Sequence, residues 1–114
     1  MQAEQMKQGI DRLERSADEA RNACQQSASV PADLKQCVMA LHEQASACKH
    51  AAHGQGSASE ESLRKDVQQL EETADRAMQA CRNAGGGVDS RLREAIERAH
   101  REASSLKKEM MQAA

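Results

Sequence analysis

The chain has 114 residues, a formal net charge of −2 and no Phe, Tyr or Trp, so it is long enough for one small domain, residues 1–114. A core of aliphatic residues, Met, Ala and Cys favours closely packed helices over a β-fold, which needs aromatic and β-branched residues. Acidic and basic residues are intermixed, so there is neither a basic stripe nor an aromatic stacking platform, and nucleic-acid binding is not expected.

Four helical segments are predicted, at about residues 3–28, 32–53, 59–84 and 89–112. In each segment apolar or small residues recur at alternating spacings of three and four, which is typical of the seam of an antiparallel bundle. No seam position carries a charge. In chain order the seam residues are Met6, Ile10, Leu13, Ala17, Ala20, Cys24 and Ser27; Leu34, Val38, Leu41, Ala45, Cys48 and Ala52; Leu63, Val67, Leu70, Ala74, Ala77, Cys81 and Ala84; and Leu92, Ile96, Ala99, Ala103, Leu106 and Met110.

Turn and capping residues separate these segments. Pro31 lies where a first helical turn tolerates proline. Ser57 with Glu60 has the spacing of a capping box for the third helix. The triple glycine 85–87 predicts a helix end, and Asp89 is the predicted N-cap of the fourth helix.

The two halves of the chain resemble each other. The pattern I-x-x-L-x-x-x-A-D-x-A-x-x-x-C begins at Ile10. It recurs 57 residues later, starting at Val67, with valine in place of the first isoleucine. At an offset of 58, Leu34, Val38, His42 and Ala45 correspond to Leu92, Ile96, His100 and Ala103. A duplicated helical hairpin (about 3–53 and 59–112) predicts an all-α, up-down-up-down antiparallel four-helix bundle.

The bundle distributes the four cysteines over its two ends. Cys24 and Cys37 are expected to face each other across the first loop, with Cys81 at the same height on the diagonal helix. Cys48 lies ~16 Å further along its helix, at a rise of ~1.5 Å per residue. The residues predicted near Cys48 are Met6, Met110, His50 and His53.

Three interpretations of the cysteines remain open at this point. Thiolates are soft ligands that select Cu(I), which accepts two or three sulfurs. In an oxidising compartment Cys24 and Cys37 would instead form a disulfide, given a suitable separation. In the third interpretation Cys24, Cys48 and Cys81 are small buried hydrophobic residues, as free cysteine often is.

A zinc site and an active site are not expected. Structural zinc needs four ligands at short spacings such as C-x-x-C, and on a regular helix Cys48, His50 and His53 point to different sides. A di-iron bundle needs paired Glu-x-x-His motifs, whereas only Glu97-x-x-His100 occurs. Asp18 and Asp75 lie beside the seam near His42 and His100 and are expected to form flanking ion pairs. The sequence therefore predicts a protein that is not an enzyme.

The segment D-L-K-Q-C-V-M-A-L-H-E-Q-A-S-A-C-K, residues 33–49, resembles the four-helix-bundle copper-storage family of cysteine-rich proteins. The match rests on the eleven-residue interval from Cys37 to Cys48, with weaker matches at Ala74-Asp75 leading to Ala80-Cys81 and at the Met-Gln-Ala-Ala end. The resemblance implies an all-α bundle that binds Cu(I) through thiolates inside it.

The ligand set that this resemblance implies is small. The family lines its bundle with many cysteines, whereas the corresponding positions here are alanines, so metal ligation carries over only to Cys24, Cys37, Cys48 and Cys81. We expect Cu(I) or another soft metal at low stoichiometry rather than high-capacity storage. The alternative is a metal-free bundle that acts as a protein-interaction or homo-oligomerisation module, to which Met39 and Met78 would contribute adaptable contacts.

The sequence also bears on location. No apolar stretch approaches the ~20 residues that cross a bilayer, so no membrane association is expected. The N-terminal residues lack the apolar segment of a secretory signal. The expected location is the cytoplasm, or the periplasm if a leader before residue 1 was removed.

Overall fold

A computed structural model describes residues 3–54 and 59–112. It contains four long helices, each within two residues of its predicted bounds, and a short 3-10 turn between the last two. The helices are α1 (Ala3–Gln26), α2 (Ala32–His53), α3 (Glu60–Ala84) and α4 (Ser90–Gln112), and the 3-10 turn is Gly85–Gly87.

Each helix packs mainly against two neighbours. α1 and α3 both pack against α2 and α4, so α1 lies diagonally opposite α3 and α2 lies diagonally opposite α4. Short connections join α1 to α2 and α3 to α4 at one end of a body that measures 42 × 26 × 18 Å. This is the predicted antiparallel four-helix bundle.

Serine side chains mark two helix ends. The Ser27 hydroxyl donates to the carbonyl oxygen of Ala23 at 2.9 Å, and α1 ends at Gln26, two residues before the predicted limit. Ser59 is the N-cap of α3, because its Oγ accepts a hydrogen bond from the backbone N–H of Ser62 at 3.1 Å. Ser57, the predicted capping residue, lies outside the described residues.

The connection between α3 and α4 has the predicted chemistry. Gly85 adopts a φ of +75°, in the left-handed region that favours glycine, and its N–H donates to the carbonyl oxygen of Arg82. Asp89 Oδ1 accepts a hydrogen bond from the backbone N–H of Arg91 at 2.8 Å and so caps α4 as predicted.

The interior is built mainly from the predicted seam. Further buried residues that the seam did not include are Gly9, Ser16, Ala23, Thr73, Ala80, Val88 and Ala95. Two apolar clusters fill the interior, one at the end that carries the α1–α2 and α3–α4 connections and one toward the opposite end. Of the seam residues, Met6, Ser27 and Ala84 are only half-buried. Among the described residues, the buried polar side chains are Ser16 and Thr73, and the Thr73 hydroxyl donates to Gln44 Oε1 at 2.7 Å.

The buried positions follow the same register in both halves. Those of α1 from Ile10 onward recur in α3 57 residues later, and all those of α2 recur in α4 58 residues later. This agreement concerns packing, and the duplication itself stays a prediction. The corresponding pairs are Ile10/Val67, Leu13/Leu70, Ser16/Thr73, Ala17/Ala74, Ala20/Ala77, Ala23/Ala80 and Cys24/Cys81, and Leu34/Leu92, Val38/Ile96, Leu41/Ala99, Ala45/Ala103, Cys48/Leu106 and Ala52/Met110.

Gly9 of α1 leaves room for the side chain of Leu106 of α4. A Cβ atom added at Gly9 would lie 2.8 Å from Leu106 Cδ1, which is too close for a normal contact. The leucine side chain therefore occupies the space that a larger residue at position 9 would need.

None of the helices in the described ranges combines the length and apolar character that a bilayer crossing requires.

Candidate functional site

The four cysteines are divided between the two ends of the bundle, as the sequence predicted. Cys24 and Cys81 are buried in the cluster beside the α1–α2 and α3–α4 connections, and the half-buried Cys37 packs against that cluster. Cys48 is 1% exposed and belongs to the other cluster, together with Met110 and, at its edge, the half-buried Met6. All four cysteines are free thiols, so the alternative disulfide between Cys24 and Cys37 is not present.

The three thiols at one end do not form a compact ligand set. Cys24 lines a groove between α1 and α2 with Lys35 and Met39, whereas Cys81 lines a separate groove between α3 and α4 with Met78. Within residues 3–54 and 59–112, no three His, Cys, Asp or Glu side chains are grouped so that they could hold one metal ion. Metal binding by Cys24, Cys37, Cys48 and Cys81 therefore stays a prediction.

Burial favours the protonated form of two thiols. It raises the pKa of Cys48 to about 12, and the nearby Asp66 carboxylate acts in the same direction. Burial also raises the pKa of Cys24, against a smaller opposing effect of the Lys35 ammonium group. Thiols in this state are poor nucleophiles, and a bound metal would have to displace their protons.

Three of the four histidines contact carboxylates on the flanks of the bundle. His42 Nε2 lies 3.3 Å from Asp18 Oδ1, and His100 Nε2 lies 3.7 Å from Asp75 Oδ1, so the predicted flanking pairs are present in both hairpins. His53 Nε2 lies 2.8 Å from Asp11 Oδ1. Both His50 and His53 are exposed while Cys48 is buried, so these three residues do not converge.

A second cross-helix ion pair also occurs in both hairpins. Lys49 Nζ lies 3.6 Å from Glu14 Oε1 in the first hairpin. Lys107 Nζ lies 3.4 Å from Glu71 Oε1 in the second. The two hairpins thus share polar contacts at their flanks as well as buried positions.

The outward side of α2 differs from that of every other helix. α2 has four charged residues in 22, namely Asp33, Lys35, Glu43 and Lys49, whereas α4 has ten in 23. Met39 is 37% exposed on this side and, with Met111 at the end of α4, is one of two exposed large hydrophobic residues in the described ranges. We call the outward residues around Met39 the Met39 face; they are Ala32, Lys35, Gln36, Met39, Ala40 and Glu43.

The Met39 face was only partly foreseen from the sequence. Met39 and Met78 were both predicted as contact residues, but Met78 is half-buried and packs against the cluster that contains Cys81. The sequence did carry a signal for this face, which a comparison of the outward residues of α2 with those of α4 reveals. At the offset of 58, Lys35, Gln36, Met39, Ala40 and Glu43 correspond to Arg93, Glu94, Glu97, Arg98 and Arg101.

Comparisons with protein-family models, with curated proteins and with solved structures found no match for this chain. The resemblance to the copper-storage bundles accordingly stays a prediction.

Proposed function

We propose that the protein is a non-catalytic contact module that binds a protein surface through the Met39 face. The observation that carries this proposal is the exposed Met39 on a weakly charged helix face, at positions where the matching helix α4 is charged. A helix of a stable bundle does not need an apolar outward residue for its own packing, because the seam already buries its apolar side.

The chemistry of the Met39 face suits contact with another protein. Methionine is flexible and polarizable and adapts to irregular partner surfaces. Of its neighbours on this face, Ala32, Gln36 and Ala40 carry no charge, whereas Lys35 and Glu43 carry opposite charges and would each need a charged partner when the face is covered. Interface cores in general are depleted of charged residues and enriched in methionine.

The interior supports a non-catalytic role. The buried polar side chains of the described residues are Ser16 and Thr73, and the Thr73 hydroxyl already donates a hydrogen bond to Gln44 Oε1. Three of the four histidines contact aspartates on the partly exposed flanks. Catalysis by these residues would require a nucleophile, a base and an orienting group within hydrogen-bond reach of one another.

Site-specific cross-linking tests the proposal. A photo-activatable residue is placed at Met39 and, as a matched control, at Glu97, the corresponding position of α4. Each purified protein is irradiated alone and in an extract of its source cells. We expect defined cross-linked products from position 39 and few or none from position 97. Equal products from both positions, or none from either, would contradict a contact role for the Met39 face.

A second proposal concerns the thiols. Cys24, Cys37 and Cys81 belong to or border one apolar cluster, which supports binding of Cu(I) or another soft metal at low stoichiometry. Because no three-donor group exists among the described residues, the proposal is limited to two-sulfur ligation. Bound Cu(I) would be held by thiolates, so binding would release protons.

An anaerobic titration tests this second proposal. The reduced protein competes with a coloured Cu(I) chelator, and we expect it to withdraw about one equivalent of Cu(I) at neutral pH. The C24A/C81A variant should lose most of this competition, whereas C48A, which removes a thiol at the opposite end, should retain it. Absence of competition, or competition unchanged in C24A/C81A, would contradict the proposal.

A further inference from the structure

We infer that the partner of the Met39 face is a second copy of this chain, with the two α2 helices packed antiparallel about a two-fold axis beside Met39. This inference rests on the proposed function and names the partner of the same surface. It is carried by the arrangement of charge on either side of Met39.

Lys35 and Glu43 lie at equal distances from Met39 on α2. Each is four residues away, which on a helix corresponds to ~6 Å along the axis and ~40° around it. In an antiparallel pair centred on Met39, residues whose numbers sum to 78 lie at the same height. Lys35 of one copy therefore lies opposite Glu43 of the other, and the two-fold axis generates this pair twice.

Both charges are free to make these contacts. Lys35 and Glu43 are exposed, and neither takes part in the ion pairs that the described residues form within one chain. Between the two Lys35–Glu43 pairs, Met39 of one copy would contact Met39 of the other. Ala32 lies seven residues before Met39, two helical turns away on the same side, and its small side chain leaves room for a second helix. The surface is thus complementary to itself in charge.

The corresponding face of α4 lacks this property. The same antiparallel pairing centred on Glu97 would place Glu97 against Glu97 of the other copy and Arg93 opposite Arg101. Like charges at such positions repel and disfavour association. The bundle therefore presents one helix face, on α2, that can pair with the same face of a second copy, and a matching face on α4 that cannot.

The expected dimer is weak. One pair of helices with one methionine from each copy buries less surface than the ~1,600 Å² of a typical stable interface. Association should accordingly depend on concentration, and its strength should depend on ionic strength because the two Lys35–Glu43 pairs lie at the edge of the contact.

Charge reversal combined with sedimentation equilibrium tests the inference. The wild-type protein should show a concentration-dependent monomer–dimer equilibrium, and K35E and E43K should each weaken it roughly tenfold or more, because two attractive pairs become repulsive. The K35E/E43K variant should recover dimerisation. An equimolar mixture of K35E and E43K should also recover it, because every contact between the two unlike chains then joins opposite charges.

R101E, which makes a comparable charge change on α4, is the matched control and should not alter the equilibrium. Far-ultraviolet circular dichroism verifies that each variant remains helical. A wild-type protein that stays monomeric at millimolar concentration would overturn the inference, as would single variants that dimerise normally or a mixture that fails to recover. A monomer that still cross-links from position 39 to another protein would overturn the second-copy partner and leave the proposed function standing.

Discussion

Helices α2 and α4 share their buried positions almost completely but carry different residues on their outward sides. Every buried position of α2 is matched by a buried position of α4 58 residues later. On the outward side, Met39 and Ala40 of α2 correspond to Glu97 and Arg98 of α4. Packing restricts the interior because a lost or added methylene group changes stability directly. The exterior is under no such restriction, so its differences are where a function specific to one helix is to be sought.

The interior should show the largest effects. Leu41 is fully buried, and the matching position of α4 is the buried Ala99 in the same cluster. Replacing Leu41 by Ala should lower the free energy of unfolding by about 3 kcal/mol, because a cavity remains in an already alanine-rich core. The double variant L41A/A99L returns the lost volume from the diagonal helix and should recover part of this loss. Urea unfolding measures both, and a loss below about 1 kcal/mol for L41A would contradict the packing described.

Cys48 should make stability depend on pH in alkaline solution. Its pKa rises from 9.0 to about 12 on folding, so between these values the unfolded chain has released a proton that the folded chain retains. This contribution to stability is complete below pH 9 and is lost as the pH rises toward 12, by at most about 1.4 kcal/mol per pH unit. The C48A variant should lack this part of the slope. If the free energy of unfolding fell equally with pH in the wild-type protein and in C48A, the alkaline loss of stability would not come from Cys48.

The cross-helix lysines should have smaller and equal effects. Lys49 and Lys107 pair with Glu14 and Glu71 at similar distances in the two hairpins. K49A and K107A should each reduce stability by no more than about 1 kcal/mol, and both reductions should shrink in high salt, since the pairs are partly exposed. Thermal unfolding at low and high salt measures this. A large effect in one hairpin alone would show that the two flanks are not equivalent.

The outward side of α2 should have the least effect on folding. Replacing the exposed Met39 by Glu should change the free energy of unfolding by less than about 0.5 kcal/mol, because Met39 belongs to neither of the two apolar clusters. The same change should reduce dimerisation, since it places two carboxylates where the two methionines would meet. A strong loss of stability in M39E would assign Met39 to the fold rather than to a contact surface.

The sequence predicted the fold well because an uninterrupted three-and-four spacing of apolar residues determines which side of each helix is buried. It predicted the height of the cysteines for the same reason. It did not predict that Cys24 and Cys81 line separate grooves, because seam spacing gives height along the bundle but not proximity across it. The Met39 face could be recognised only after the packing of all four helices showed which residues remain exposed.

The most direct test of the difference between α2 and α4 is a dilution series followed by nuclear magnetic resonance of the backbone amides. We expect concentration-dependent chemical shifts at Gln36, Met39 and Glu43, and no such change at the matching Glu94, Glu97 and Arg101. Shifts of similar size on both helices, shifts on α4 alone, or spectra that do not change with concentration would contradict this expectation.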